Sequence, residues 1–485
     1  MKIAFVQFIY YEYLGIMYLS SSLKAEGHDT AVFIPSSRDE RFIAELMDYR
    51  PDVVGFSVMT GSEDWAVSLA RQIKERMPAY IVFGGPHPTF FPEIIDCGGI
   101  DCVCRGEAER SFVDIVNTLS RGERPLTTPG AWFKADGDVV RNEPGMLEED
   151  LSRIPLPDRT LYRKYAALFG NRANMIAGRG CPYSCTFCFN HRLLDLYRGK
   201  GRYVRTRRAE DVIGEIREIM RTRTVSSIYF QDDTFSLNRT WLLKFLRAYA
   251  DELRIPFSCQ IRADTVDEDI VQALSAANCR TVSFGIETGN EHNRSRLLQK
   301  HISDQDIVQC AALLKKHRIR FRTYNILGLP GETLADAFQT IRLNRTIRTD
   351  YPWCSLYQPL PGTELAEQCR SQGLLRDAEE ASQPSFFKGT PLSLANGNEI
   401  VNLHKLFFSA VKFPFLERLI RRAVKLPPNR FYDLLFLLGH AWTYYFSELV
   451  SFRSLLAVGM LNMRRYLSFR PRPAAHPGRG GGKAP

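Results

Sequence analysis

Apolar positions along the chain change period repeatedly, and the changes mark out its elements. Short apolar runs alternate with stretches in which apolar side chains recur every three or four residues. The runs Lys2–Phe8, Thr30–Ile34, Val53–Val58, Ala79–Gly85 and Asp101–Arg105 predict strands, and Leu14–Glu26 and Trp65–Arg76 predict helices between them. Strands joined by helical crossovers predict an open, doubly wound parallel sheet of Rossmann or flavodoxin type over residues 1–125. Residues 126–169 read as a connector, with a hairpin turn at Asp136-Gly137 and a proline-rich extended crossing at Leu151–Asp158.

The same alternation resumes over residues 170–375. Strand-like runs fall at Asn174–Ala177, Ser227–Gln231, Phe257–Arg262, Thr281–Ile286, Phe321–Leu327 and Trp353–Gln358. Helical patterns lie between them, such as Glu210–Met220, with Val212, Ile213, Ile216 and Ile219 on one face. Six repeated βα units predict a partial TIM-like (β/α)6 barrel, open on one side for a large substrate. Residues 376–470 turn mainly helical, broken at Leu426-Pro-Pro-Asn-Arg430, and Pro471–Pro485 reads as a disordered tail.

Composition narrows the class. The chain has 485 residues, 45% hydrophobic and 24% charged, enough for two or three globular cores. Its formal charge of +10 fits a basic surface or an anionic partner, but no basic stripe interleaves with aromatics, so nucleic acid is not expected. Most of the eleven cysteines stand singly in apolar segments, as in a reducing interior, and the first strand begins without a signal sequence. A cytoplasmic enzyme is the expectation.

The chemistry concentrates where strands end. The first barrel strand runs into Cys181-Pro-Tyr-Ser-Cys185-Thr-Phe-Cys188, three thiols at C-x3-C-x2-C spacing. Three soft donors on one loop fit an iron–sulfur cluster with one iron open. His191, three residues on, leaves a Cys3His zinc site arithmetically open. Later strand ends carry Asp232-Asp233, Gln260 with Arg262 on one face, Glu287, and Gly328 with Gly331 in Gly-Leu-Pro-Gly-Glu. In the first domain, the ends carry Ser57 and then Gly84-Gly85-Pro-His87.

With the cysteine loop, these strand ends resemble the radical S-adenosylmethionine (SAM) superfamily, over about 200 residues. The resemblance implies that Cys181, Cys185 and Cys188 hold a 4Fe–4S cluster and that SAM binds its fourth iron. It places Phe187 beside the adenine, Asp232 and Asp233 near the methionyl amino group, Glu287 on the ribose hydroxyls, and Gly328 and Gly331 along the adenine pocket. Gln260 and Arg262 join this cofactor-facing set, with Arg262 and Tyr324 as candidate substrate contacts.

The first domain resembles cobalamin-binding domains, in which a Ser and a Gly-Gly surround the nucleotide tail; Ser57, Gly84 and Gly85 match. It departs from the best-known members in one respect. The loop Phe8–Gly15 has no histidine to ligate cobalt, so a bound cobalamin would lack that axial ligand. The domain order resembles the cobalamin-dependent radical SAM enzymes, a group that includes methylases and the anaerobic porphyrin cyclase. This implies a 4Fe–4S cluster, SAM and cobalamin as cofactors, and a reductase, flavodoxin or ferredoxin as electron donor. It also implies a small-molecule substrate, hydrophobic or lipid-like, modified at an unactivated carbon, with methylation ahead of cyclisation or oxidation. Two other readings stay open: a radical enzyme whose first domain is structural, and a non-catalytic corrinoid or metal sensor.

Within the C-terminal region the uncharged run Leu434–Ser447 is 14 residues, short of the roughly 18–20 that span a bilayer. It reads as a helical lid over the barrel's open side. The alternative is an amphipathic element in peripheral contact with a membrane.

Overall fold

The structure, a computed structural model, describes residues 1–35, 39–375, 387, 389–449 and 451–468. The expected tail from Pro471 lies outside the described residues. By its internal contacts the chain divides into two compact units. One comprises Met1–Phe169, Leu196–Arg202 and the stretch from Leu456; the other comprises Gly170–Asp195 and Tyr203–Leu455.

The first unit is built on β1 (Lys2–Gln7), β2 (Asp29–Phe33), β3 (Val53–Ser57), β4 (Tyr80–Gly84) and β5 (Cys102–Cys104). They pair in parallel in the order β2-β1-β3-β4-β5. The order reverses between β1 and β3, which is where an open sheet of this kind leaves a crevice for a ligand. Apolar side chains fill both faces; Phe5 meets Phe112 on one, and Phe56, Ile81 and Phe83 pack on the other.

The expected connector is more than a linker. Its hairpin, β6 (Ala131–Ala135) and β7 (Asp138–Arg141), adds antiparallel to β5 and extends the sheet to seven strands. The reason is alternation: Ala131 and Phe133 are fully buried while Lys134 between Phe133 and Ala135 is exposed. The proline-rich crossing is also tied to this unit. Asp158 accepts from Ser20 at 2.7 Å and pairs with Lys24 at 2.7 Å.

The second unit holds β8 (Arg172–Met175), a ribbon of β9 (Gly178–Arg179) and β10 (Arg205–Thr206), and then β11 (Ser227–Phe230), β12 (Phe257–Gln260), β13 (Cys279–Glu287), β14 (Arg320–Leu327) and β15 (Tyr351–Leu356). Apart from the ribbon, these form one parallel sheet in the order β8-β11-β12-β13-β14-β15. The first barrel strand begins two residues earlier than its apolar run suggests, because Arg172 belongs to it.

Period-two alternation sorts the two faces of this sheet. Met175, Phe230, Cys259, Phe284 and Phe321 bury against the helices. The intervening positions, among them Arg172, Asn174, Tyr229, Gln260 and Tyr324, lie on the opposite face. Side-chain caps at Asn238, Asp267 and Asn290, and capping boxes at Ser303 and Thr333, start the helices close after the strand ends.

The C-terminal helices complete this unit. Gly397–Lys412 packs Ile400, Leu403 and Phe407 against Cys354 and Leu356 of β15. The apolar run Val401–Val424 is not one helix: Pro414 breaks it after Phe413. Helix Arg430–Ser447 lies along edge strand β15, with Thr443 bonded to the Pro352 carbonyl and the His440 ring 4.2 Å from Trp353. Just beyond it, Glu448 pairs with Arg172 of β8 at one edge of the sheet and with Arg322 of β14 near the other. Among the described residues, no helix is long and apolar enough to cross a membrane.

Candidate active site

The cysteine loop follows β8 and the short β9. Its backbone is held from one side: Thr186 donates its N–H to the Leu298 carbonyl at 3.1 Å and its hydroxyl to Leu297 at 2.7 Å, and its own carbonyl accepts from Leu365. The Cys188 N–H bonds the Cys185 carbonyl at 3.1 Å, a turn that brings the second and third thiols round to one side. All three cysteines are free and half-buried. Burial raises each thiol, Cys188 to about 11, and each of Cys181 and Cys188 also feels the charge of Cys185. Such mutual repulsion between half-buried thiolates is what a cationic cluster core would relieve. Among the described residues, no three Cys, His, Asp or Glu side chains converge tightly enough to hold a single metal ion.

Cations stand beside this loop. Arg262 lies 3.8 Å above the Tyr183 ring, bonds the Cys185 thiol, and is itself fixed by Asp264 at 2.8 Å. Burial raises Cys185, whereas Lys300 first and Arg262 second lower it. Burial still leaves the Cys185 thiol above its ordinary value, and the two cations offset only part of that rise.

The paired aspartates divide their work. Both oxygens of Asp232 accept backbone bonds, from Ala177 N at 3.1 Å and Gly178 N at 2.6 Å. Asp232 is thus a clamp on the segment leading into the cysteine loop, not an open donor partner. Burial raises its carboxyl to about 7. Asp233 opens to solvent in the mouth of the sheet, bonds Asn190, and is close enough to Cys181 and Cys188 to raise both.

Glu287 ends β13 with φ +63, a left-handed conformation rare for a residue with a side chain. A register shift between Gly285 and Glu287 accommodates it. Its carboxylate accepts from Lys300 at 2.6 Å, and both groups are largely buried. A Cβ at Gly285 would overlap the Glu287 carboxylate and sit 2.5 Å from Lys300 Nζ. The glycine is there to admit this ion pair. Sequence reasoning missed Lys300, which sits in a polar loop with no periodic signal.

The Gly328–Glu332 turn closes β14. Gly328 and Gly331 both have positive φ, and Glu332 accepts from the Gly328 and Leu329 N–H groups. Burial raises Glu332 to about 8. Phe187 packs on the cluster containing Leu329 and Leu298, which puts the aromatic of the cysteine loop beside this glycine turn. Gln260 is half-buried at the end of β12. Tyr324 accepts a 2.7 Å bond from Arg322.

In the first unit the expected ligand residues are also neighbours. Ser57 pairs in register with Gly84, and with Gln7 on the other side. Gly85 has φ +97, and a Cβ there would press on Val58 at 3.0 Å, so this glycine makes the turn itself. A Cβ at Gly84 would rest at ordinary contact distance, 3.9 Å, against Cys104, and the Gly84 carbonyl accepts from the Val58 N–H at 2.8 Å. His87 is engaged locally, 3.3 Å from the Thr60 hydroxyl and against the Phe91 ring. The loop after β1 is braced instead by Gln7, whose amide donates to Ile9 and Tyr11 and whose oxygen accepts from Tyr162.

The family model for the radical SAM superfamily matches residues 175–343, and that for the B12 binding domain matches residues 9–116. An uncharacterized methyltransferase of Pyrococcus horikoshii is 31% identical over 379 residues, covering 75% of this chain and 79% of its own. The chain belongs to the radical SAM superfamily. It is a radical SAM enzyme with a B12 binding domain, and its cofactors are a 4Fe–4S cluster, SAM and cobalamin. The hopanoid C-3 methylase of Methylococcus capsulatus is 27% identical over 293 residues, 58% of this radical SAM enzyme and 54% of that one. In overall fold the chain is similar to the radical SAM methyltransferase TsrM of Kitasatospora setae. The TM-score is 0.70 at 16% identity, over 96% of this chain and 99% of that one.

Proposed function

We propose that this enzyme is a cobalamin-dependent radical SAM methyltransferase acting on an unactivated carbon of a hydrophobic, lipid-like or secondary-metabolite substrate. The observation that carries the reading is the company of the cysteine loop: three half-buried thiols with Asp233, Lys300 and Glu287 around them, on a chain that also has a B12 binding domain. When bound, the cofactors supply a one-electron cleavage of SAM and a transferable methyl group, chemistry that no side chain here can provide.

The protein's part is to hold and orient. Cys181, Cys185 and Cys188 take three irons, and the Asp232 clamp fixes the entry to their loop. Arg262 and Lys300 compensate the negative charge of the thiolates. Asp233 is placed for the methionyl amino group, and Glu287, aligned by Lys300, for the ribose hydroxyls. Phe187, Gly328 and Gly331 line the adenine side, and Gln260 completes the wall. Ser57 and Gly84 flank the corrinoid tail, with Gly85 shaping the turn beneath it. The loop Phe8–Gly15 offers cobalt no imidazole, so no protein histidine from that loop would hold its lower face.

A relative covering most of the chain is an uncharacterized methyltransferase by name, and another is a hopanoid methylase by name, which supports methyl transfer and a lipid-like substrate. The electron donor is a reductase, flavodoxin or ferredoxin, the site of action the cytoplasm, and contact with a membrane peripheral. Anaerobic reconstitution tests the reading. Iron and acid-labile sulfide near four each per chain, retained cobalamin, and 5′-deoxyadenosine or S-adenosylhomocysteine under reductant are expected. All should fall away in Cys185→Ala except the corrinoid. Stoichiometric zinc without sulfide, or a loaded cluster that never cleaves SAM, would sink it.

A further inference from the structure

The exposed large apolar side chains of the described residues are concentrated in one stretch of the sequence. Among the described residues, eighteen large hydrophobic side chains are exposed, and twelve of them lie between Phe413 and Met460. Helix Arg430–Ser447 carries the densest group. Its inward positions His440, Thr443 and Ser447 meet β14 and β15. Its outward stripe, Phe431, Leu434, Leu438 and Trp442 at i, i+3, i+7 and i+11, is 63, 52, 60 and 52% exposed. An apolar stripe this long on a protein surface marks a contact site rather than chance exposure.

Charge around the stripe selects the occupant. Arg418, Arg422, Lys425 and Arg430 are exposed on the same C-terminal segment and pair with no acid among the described residues. The acids nearby are already neutralised: Glu417 pairs with Arg345 and Arg421, and Asp433 pairs with Lys405. A second copy docked through the same patch would set these cations against themselves, because a two-fold interface is self-complementary. The sequence after Phe469 holds Pro, Gly, Ala, one His and further basic residues but no large apolar side chain.

We infer that the outer face of helix Arg430–Ser447, with its flanking cations, docks on an anionic lipid surface. The helix lies in the interface and does not span it. Trp442 and Phe446 seat among the acyl chains and the arginines meet headgroup phosphates. The inference deepens the lipid-like-substrate reading and rests on it for its purpose. The same helix that touches β15 would then deliver the barrel to the membrane that holds the substrate.

Sedimentation of the full-length chain with vesicles tests this directly. Vesicles of equimolar phosphatidylcholine and phosphatidylglycerol should carry the protein down, and pure phosphatidylcholine far less. Each cation removed, as in Arg422→Gln or Arg430→Gln, should weaken binding roughly fivefold. The double variant Leu438→Glu with Trp442→Glu should abolish binding, with its circular dichroism and monomer size unchanged because both side chains face out. No binding by the native chain, or binding indifferent to the double variant, would overturn the proposal. So would a dimer seen by light scattering that the double variant dissolves, which assigns the face to a second copy. Vesicle binding needs no turnover, so a native chain that cleaves SAM but binds no vesicles rejects this surface alone, and one that binds vesicles but never cleaves SAM rejects only the catalytic reading.

Discussion

Arg172 and Glu448 stand 276 residues apart in sequence, and their side chains meet at 2.7 Å, both almost fully buried. The second oxygen of Glu448 pairs with Arg322, whose remaining donors reach Ser283, Ser447 and Tyr324. Burial alone would raise the Glu448 carboxyl, but Arg322 and then Arg172 hold it below the ordinary carboxylate value. The sheet is open between β8 and β15, and this carboxylate ties the two sides of the opening together.

Removing one member of such a network leaves the others charged in a poor solvent. Glu448→Ala should therefore cost about 3–5 kcal/mol of stability, and Glu448→Gln less, since it keeps one acceptor. Urea denaturation of the chain measures both. A loss below about 1 kcal/mol would show the pair to be incidental.

Asp232→Asn replaces one acceptor with a donor facing the Ala177 and Gly178 N–H groups. A loss of about 1–3 kcal/mol is expected, with reduced iron loading because the cysteine loop starts at that clamp. Asp233→Asn should leave loading intact and weaken SAM binding instead. Equal effects from the two variants would contradict the division of roles.

Gly285→Ala puts a methyl where the Glu287–Lys300 pair lies. About 1–3 kcal/mol of overpacking is expected, together with weaker SAM binding as Glu287 is displaced. Isothermal titration of SAM into the reconstituted enzyme reads this.

Acid should loosen the C-terminal helices. Burial lowers His404 to about 4, and burial with the Arg322 charge lowers His440 likewise to about 4. Both stay neutral in the fold while an unfolded histidine charges near pH 6.5. The stability they contribute is complete above about 6.5 and lost as pH falls toward 4. At pH 5, the fully buried His404 alone accounts for about 2 kcal/mol. Thermal unfolding at pH 7.5 and 5 should show a smaller acid shift in His404→Gln than in the native chain.

Much of the fold was legible in period-two runs separated by helical periods, because parallel strands buried on both sides must be apolar. The three cysteines were legible because their spacing is rare. Other parts were not. The hairpin Ala131–Arg141 looked like a linker, since a two-strand ribbon does not announce what it pairs with. Asp232 looked like its neighbour, and only the backbone donors at Ala177 and Gly178 separate the two. Lys300 had no pattern at all. Glu448 had a faint one, as the sole acid from Leu434 onward in an apolar region, although nothing local says that its partners are Arg172 and Arg322.

The distance in sequence between Arg172 and Glu448 has a consequence for how the protein is made. At roughly 5–20 residues per second, the ribosome needs on the order of tens of seconds to pass from one to the other. For the later part of that interval β8 and the thiols just after it have left the ribosome, while Glu448, which ties β8 across the opening, has yet to be synthesised. The three cysteines are therefore synthesised well before Glu448, the residue that ties the two sides of the sheet's opening together.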